Sequence, residues 1–349
     1  MKNYLTKFNT TSDYNSFIEG NTKEYVNVSY IVDDDEVKYY NEKDYYIKQY
    51  LTFKVVEAGT ITIIKNDSSD PTVTIQYSTD NGQNWTSLTT STTEQSLGTF
   101  TVGDKVMIKG INNQTTFNHF SGTAKVNVYG NIMSLLYGDN FIGQTTLTNN
   151  DTFISLFQNY TNLLSAENLI LPATTLANHC YRLMFDGCIS LTAAPQLPAT
   201  IVLEQSYSNM FRNCTSLTTA PELPATTIAD SCYFNMFANC TSLTTAPELP
   251  ATTMYRQCYM YMFNGCTSLT TAPELPATTL AVGCYNYMFQ NCTLLNYIKC
   301  LATKLHDWGS TTNWLNNVSS SGTFVKNSSM TKWPSGASGI PSGWTVQDA

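Results

Sequence analysis

The clearest pattern of apolar and polar positions is a segment that recurs every 26 residues in the second half of the chain. Tyrosine, methionine, phenylalanine and leucine each return at this step, and so does the proline of LPAT. The phenylalanine positions are Phe185, Phe211, Phe237, Phe263 and Phe289. A repeat of this length indicates units that bury their apolar faces against their neighbours.

Within one unit the spacing predicts two kinds of element. From Ile228 to Cys240 the apolar positions fall at i, i+4, i+5, i+8, i+9 and i+12, which predicts a short helix with one buried stripe. Residues 243–249 then predict a short extended segment, which Pro250 ends. One strand and one helix in 26 residues match the length of leucine-rich repeats. We therefore expect a strand–helix solenoid.

The repeats lose their regularity at both ends. Residues 153–171 resemble the later part of a first unit, and residues 312–326 resemble a degenerate last unit. Terminal repeats that cap an open core are expected to be atypical. We therefore assign residues 131–330 to a leucine-rich-repeat solenoid with degenerate capping repeats, and residues 331–349 to a C-terminal tail.

The first half of the chain has a different texture. Residues 49–130 contain short segments that alternate apolar and polar residues between Gly, Asn and Asp, which predicts a small antiparallel β-sandwich. Residues 1–48 contain two strand-like segments, 26–31 and 37–40, around an acidic turn. We expect this part to form an N-terminal β-hairpin and anchoring segment. The predicted fold class is thus multi-domain: anchor, β-sandwich and solenoid.

One short motif lies in the predicted sandwich. Residues 78–85 fit SxDxGxxW and so resemble the Asp box of sialidase-like propellers, where the motif stabilises a hairpin turn. The Asn-Gly pair is itself a hairpin signal. We predict a hairpin at this place and no glycosidase activity from it.

Composition and charge exclude several functions. The chain has 349 residues, 42% hydrophobic and 13% charged, with a formal net charge of −8. This balance argues against binding to nucleic acid, which needs clustered basic charge. No stretch of about 20 apolar residues is present, so we expect no membrane span. No apolar run follows Met1, so we expect no secretory signal peptide.

Candidate catalytic chemistry is sparse. The three histidines are far apart in sequence, which leaves little material for a histidine base or a zinc site. Eight of the ten cysteines form pairs eight residues apart, but Ser206 replaces one partner and Cys300 has none. This irregularity favours buried thiols, with disulfides and metal ligands as the alternatives. We assign no catalytic, cofactor-binding or metal-binding residue and predict a non-enzymatic protein.

The repeat motifs CTSLTTAPELPATT and CYxxMFxxC resemble the BspA-like leucine-rich repeats of Bacteroides surface proteins and of their phages, including crAss-like phages. The resemblance implies a strand–helix solenoid used for adhesion or display. The missing signal peptide favours a virion fibre or a head or tail decoration protein over a bacterial cell-surface adhesin. The N-terminal region would then contact other virion proteins, and the solenoid would bind a host-surface protein or glycan. The sequence leaves open whether the chain forms a homotrimer.

Positions that vary between units are the candidate partner-binding residues. They include Arg182, Phe234, Tyr255 and Met260. The last three of these would form an apolar and aromatic patch on the surface. A second feature is the column Glu222, Glu248 and Glu274, whose carboxylates are either splayed into solvent or bridged by a divalent cation. A glycan depolymerase is the alternative from another class. It needs two carboxylates about 5–9 Å apart in a cleft, which the repeats do not offer.

Overall fold

The protein is described by a computed structural model that covers residues 28–33, 36–41, 46, 48–65, 68, 72–110, 118–306 and 308–349. The predicted anchoring segment therefore lies mostly outside the described residues. The strands are β1 (Val28–Asp33), β2 (Glu36–Asn41), β3 (Leu51–Glu57), β4 (Gly59–Lys65), β5 (Thr74–Ser78), β6 (Thr86–Thr89), β7 (Gln95–Phe100), β8 (Lys105–Gly110), β9 (Asn118–Ser121), β10 (Lys125–Asn131), β11 (Leu163–Ser165), β12 (Leu169–Ile170), β13 (Tyr297–Cys300), β14 (Gly322–Lys326) and β15 (Trp344–Asp348). A one-turn helix, α1 (Ser134–Tyr137), precedes a 3-10 turn at Gly138–Asn140.

The first half of the chain forms a hairpin and two facing sheets. β1 and β2 pair with each other in antiparallel register. A larger sheet has the order β11-β10-β3-β8-β5-β6, with β12 also on β10, and a smaller sheet has the order β7-β4-β9. The two sheets meet where Phe53 of β3 contacts Phe120 of β9, with ring centroids 5.0 Å apart. Alternation along β3 buries Leu51, Phe53 and Val55 in this interface.

The motif at residues 78–85 does stabilise a hairpin, as predicted. It joins β5 to β6, and the hydroxyl of Ser78 donates to the carboxylate of Asp80 at 2.7 Å. The backbone N–H of Asn84 donates to the same carboxylate at 2.9 Å, and the indole of Trp85 donates to the carbonyl of Gly82 at 3.0 Å. Asn81 and Gly82 have positive φ, which a tight hairpin turn requires.

The larger sheet continues directly into the repeats. β10 pairs in parallel with β11 and β12, which belong to the first unit. The ring of Phe157 lies 6.0 Å from Phe53 and 6.1 Å from Phe120, and it stacks on Phe185 at 5.4 Å. One hydrophobic core therefore extends from the sheets into the repeats.

The predicted strand–helix leucine-rich-repeat solenoid is wrong. The described chain is 3% helical and 27% strand, and its one helix with defined bounds, α1, precedes the repeats. Where the sequence predicted a helix in each unit, the backbone forms consecutive turns. We refer to these as turn segments one to six: residues 179–188, 205–214, 231–240, 257–266, 283–292 and 309–318.

Two sets of hydrogen bonds alternate along a turn segment. In segment one, the N–H of Met184 donates to the carbonyl of Tyr181 and closes a turn at 3.3 Å. The next N–H, that of Phe185, donates to the carbonyl of Met210 in segment two at 2.9 Å. Each unit is thus joined to the next by its backbone, while an α-helix would satisfy these groups within itself.

The turns require left-handed backbone at regular places. In segments one to six, the first, fifth and ninth residues have φ between 50° and 83°. The apolar pattern therefore has a period of four and not the 3.6 of a helix. Spacings of i, i+4 and i+8 fit both periods over ten residues. The apolar pattern alone therefore could not distinguish a helix from consecutive turns.

Extended segments form the other side of each unit. They join neighbouring units through isolated parallel bridges, such as Thr219 to Thr245 and Ile201 to Thr227. The prolines in these segments lack N–H donors, which keeps the pairing from becoming continuous. At the end of the stack β13, β14 and β15 do form a parallel sheet, in which Ile298 lies beside Phe324.

Two columns of aromatic rings fill the core of the repeats. Successive phenylalanines from Phe185 to Phe289 stack with centroids 5.4–5.7 Å apart. A parallel column of tyrosines, from Tyr181 to Tyr285, ends on Trp314 at 6.2 Å. Trp333 then stacks on Trp314 at 5.7 Å, so residues beyond the last unit cover the end of the column.

Candidate functional site

The cysteines of the repeats are structural. All ten are free and buried, which confirms the prediction of buried thiols. The thiol of Cys240 donates to the carbonyl of Phe211 at 3.1 Å, and four other cysteines repeat this contact between units: Cys188, Cys214, Cys266 and Cys292. Burial raises the pKa of Cys292 to about 12. These thiols therefore carry no reactive thiolate at neutral pH.

The predicted partner-binding residues of the turn segments share one column but not one patch. Arg182, Phe234 and Met260 occupy the fourth position of their segments, and all three are half-buried. Arg182 lies two units from Phe234, and its buried Nε has no partner in the described part of the chain. Of the three residues expected to form an apolar patch, Phe234 and Met260 lie in neighbouring units of this column, and Tyr255 does not belong to it.

Two tyrosines that the sequence analysis missed complete this patch. The rings of Tyr261 and Tyr287 stack in parallel, 4.5 Å apart with 5° between their planes. The ring of Phe234 meets Tyr261 edge-on at 5.9 Å. We call Phe234, Met260, Tyr261 and Tyr287 the aromatic cluster. Burial, and then the neighbouring Tyr287, raise the pKa of Tyr261, so its hydroxyl is protonated at neutral pH.

The backbone at the two tyrosines is unusual for their side chains. Tyr261 and Tyr287 stand at the fifth position of their segments, with φ of 59° and 58°. The fifth positions are Leu183, Asn209, Asn235, Tyr261, Tyr287 and Asn313. Asparagine tolerates left-handed backbone, whereas a bulky side chain there is an outlier. Two consecutive aromatic residues in a column where three of six positions are asparagine are the signal that would have found these positions.

Tyr255 lies outside the aromatic cluster. It precedes turn segment four, is 43% exposed, and makes no ring contact with another described residue. Trp308, which the sequence analysis did not single out, is 83% exposed and packs only against His306, at 5.8 Å among the described rings. We therefore assign neither Tyr255 nor Trp308 to the candidate site.

The three glutamates of the predicted column are exposed on the extended side. Glu274 forms an ion pair with Lys299 of β13 at 2.9 Å, so the column ends beside a cation supplied by the chain itself. Within the described ranges, no group of three His, Cys, Asp or Glu side chains is placed to hold a metal ion. The geometry gives these glutamates no evident catalytic arrangement.

A groove of 960 Å³ also lies on the extended side, between the first units and Tyr46. Its lining includes the polar residues Glu167, Gln196 and Glu222 and the prolines Pro198 and Pro224. Of the seven predicted partner-binding residues, Glu222 is the one that this groove contains. The groove and the aromatic cluster are therefore separate features on different sides of the units.

Comparison of the chain with known protein families, with curated proteins and with solved structures finds no match. The resemblance to BspA-like repeats consequently stays a prediction. None of the helices in the described ranges is long and apolar enough to cross a bilayer.

Proposed function

We propose that this chain is a non-enzymatic binding protein whose stacked repeats present a surface to a partner. The observation that carries the proposal is the contrast between a constant core and a variable outer column. The core phenylalanines recur unchanged and are fully buried in every turn segment from one to five. The fourth positions change instead, as Arg182, Ser208, Phe234, Met260 and Asn286, and all except the buried Ser208 are partly exposed.

This contrast has a physical basis. In a stack of repeats each unit contacts mainly its neighbours, so the columns that pack between units must match from one unit to the next. Outward positions are free of that requirement and can change without opening a cavity. A row of such positions along the stack is well suited to recognising an extended partner.

We further propose that the setting is a phage particle, in which the chain acts as a fibre or a decoration protein. The repeat motifs that resemble those of Bacteroides proteins and their phages support this setting. In it the N-terminal region contacts other virion proteins, and the repeats bind a protein or glycan of the host surface.

Mass spectrometry of purified phage particles, beside the envelope fraction of uninfected host cells, tests the setting. We expect stoichiometric peptides of this chain in the particles. Peptides found in the host envelope alone would contradict the virion and indicate a bacterial adhesin.

A cell-binding assay tests the binding function itself. Fluorescently labelled full-length chain should bind host cells in a saturable manner, and an excess of unlabelled chain should displace it. Binding that neither saturates nor is displaced would overturn the proposal.

A further inference from the structure

We propose that the aromatic cluster of turn segments four and five is a binding site for a neutral sugar residue of a glycan. This inference rests on the proposed binding function, because it assigns the ligand class of the same repeats. Four observations carry it: the backbone cost of the two tyrosines, the absence of charge, the unpaired hydroxyls and the size of the site.

The two tyrosines are not what the fold prefers at these positions. A left-handed φ of 59° or 58° is unfavourable for a tyrosine, and three other segments place asparagine there. Residues in sparsely populated backbone regions cluster at functional sites, where another role maintains them. Two adjacent units with the same departure, stacked ring on ring, indicate such a role.

The turn segments that carry the cluster are uncharged, and Asp230 and Arg256 stand directly before segments three and four. Turn segments three, four and five contain no Asp, Glu, Lys or Arg. Segments one and two, by contrast, contain Arg182, Asp186 and Arg212, and the last two form an ion pair at 2.8 Å. A charged ligand would find no counter-charge on segments three to five, so the chemistry favours a neutral one.

Polar groups are present without charge. The hydroxyls of Tyr261 and Tyr287 make no hydrogen bond with any described residue. The amides of Asn264 and Gln290, three residues further along the same turns, hydrogen-bond each other at 3.0 Å and retain further donors and acceptors. Aromatic rings beside hydroxyls and amides match a sugar, which has an apolar C–H face and a rim of hydroxyls.

The size of the cluster favours a sugar over a protein. Its four side chains are all half-buried and expose only part of their surface. A stable protein interface buries about 800 Å² on each partner. A single sugar residue is much smaller and fits a contact of this extent.

The test uses labelled full-length chain on an array of neutral oligosaccharides of glucose, galactose, mannose and N-acetylglucosamine, with sialylated and sulfated glycans beside them. We expect binding to a neutral glycan. The double variant Tyr261→Asn/Tyr287→Asn should lower the affinity for that glycan about tenfold or more, as the loss of aromatic contacts implies. Its melting temperature should be unchanged or higher, since asparagine suits the backbone.

Two further variants separate the contribution of the rings from that of the hydroxyls and provide a control on another surface. Tyr261→Phe/Tyr287→Phe keeps the rings and removes the hydroxyls, so we expect a smaller loss of affinity. Tyr297→Asn is the matched control, because Tyr297 is 37% exposed but lies on β13 of the extended side. It should bind the glycan as the wild type does.

Several outcomes would overturn the inference. They are full affinity in Tyr261→Asn/Tyr287→Asn, binding to acidic glycans alone, or cell binding that enzymatic deglycosylation of the cells leaves unchanged, which would indicate a protein partner. Cell binding with no glycan bound on the array would overturn the sugar site and leave the proposed function standing. Absence of saturable cell binding would instead overturn the proposed function.

Discussion

Asparagine and glycine at left-handed positions shape the turn segments. The ninth positions of the six segments are Gly187, Asn213, Asn239, Gly265, Asn291 and Asn317, all with positive φ. These two residue types enter that region at the lowest cost. The asparagines also bond between units, as where the amide of Asn239 donates to that of Asn213 at 2.9 Å. The asparagines thus both accept the left-handed backbone and hydrogen-bond neighbouring units to each other.

Asn239 provides a test of this preference. Asn239→Ala should destabilise the protein by about 1 kcal/mol, because alanine is disfavoured at a φ of 62° and the amide contact is lost. Asn239→Gly loses the same contact but accepts the backbone, so it should cost less. Urea unfolding of both variants gives the comparison. Equal stability of the alanine variant and the wild type would contradict the left-handed assignment.

The hairpin carboxylate of Asp80 predicts a pH effect. The backbone N–H of Asn84, followed by the hydroxyl of Ser78 and the side chain of Asn84, lowers the pKa of Asp80 to about 2. A lowered pKa stabilises the fold above the unfolded value of about 3.9, and this contribution disappears as the pH falls towards 2. Thermal melts between pH 5 and 2 should therefore decline less steeply in Asp80→Asn than in the wild type. Identical slopes would show that the hairpin contacts do not act on this carboxylate.

At the level of elements, the alternating segments of the first half could be located from sequence, and the turn segments could not. β3 and β4 form where apolar residues alternate at period two, which only a strand satisfies. In the repeats, pairs of apolar residues four apart satisfy a helix and a stack of turns equally over ten residues. The deciding information was the asparagine or glycine at the ninth position of every turn segment and the asparagine at three of the six fifth positions, since a helix interior disfavours both residue types.

Two residues of the aromatic cluster could likewise be found from the sequence, and two could not. Comparison of equivalent positions between units found Phe234 and Met260, since that argument does not depend on the element type. Tyr261 and Tyr287 were missed because their significance depends on a backbone conformation that a helix does not have. The stacking of their rings, at 4.5 Å, could be recognised only once the units were placed in register.

The phenylalanine column predicts how the repeats respond to a cavity. Phe237 lies in the middle of the column, fully buried, 5.7 Å from the rings of both Phe211 and Phe263. Phe237→Ala should destabilise the protein by about 3–5 kcal/mol, whereas Phe237→Leu, which leaves a smaller cavity, should cost less. Guanidinium unfolding of both variants measures the difference. Similar small effects for both would mean that the column is not tightly packed.

At the scale of the whole molecule, one core connects the sheets, the repeats and the C-terminal residues. It begins at Leu51 in β3 and includes Trp344 in β15. The indole of Trp344 donates to the carbonyl of Ser319 at 2.8 Å, and that of Trp314 donates to Gly339 at 2.9 Å. Residues 331–349, predicted as a tail, thus contribute a strand and cover the last unit.

The central claim is that the repeats are stacked turns with left-handed positions, since the argument from Tyr261 and Tyr287 depends on it. A far-UV circular dichroism spectrum of the folded full-length chain tests this most directly. We expect a spectrum of strands and turns without the double minimum of α-helices. A pronounced helical double minimum that disappears on unfolding would contradict it and restore a helix in every unit.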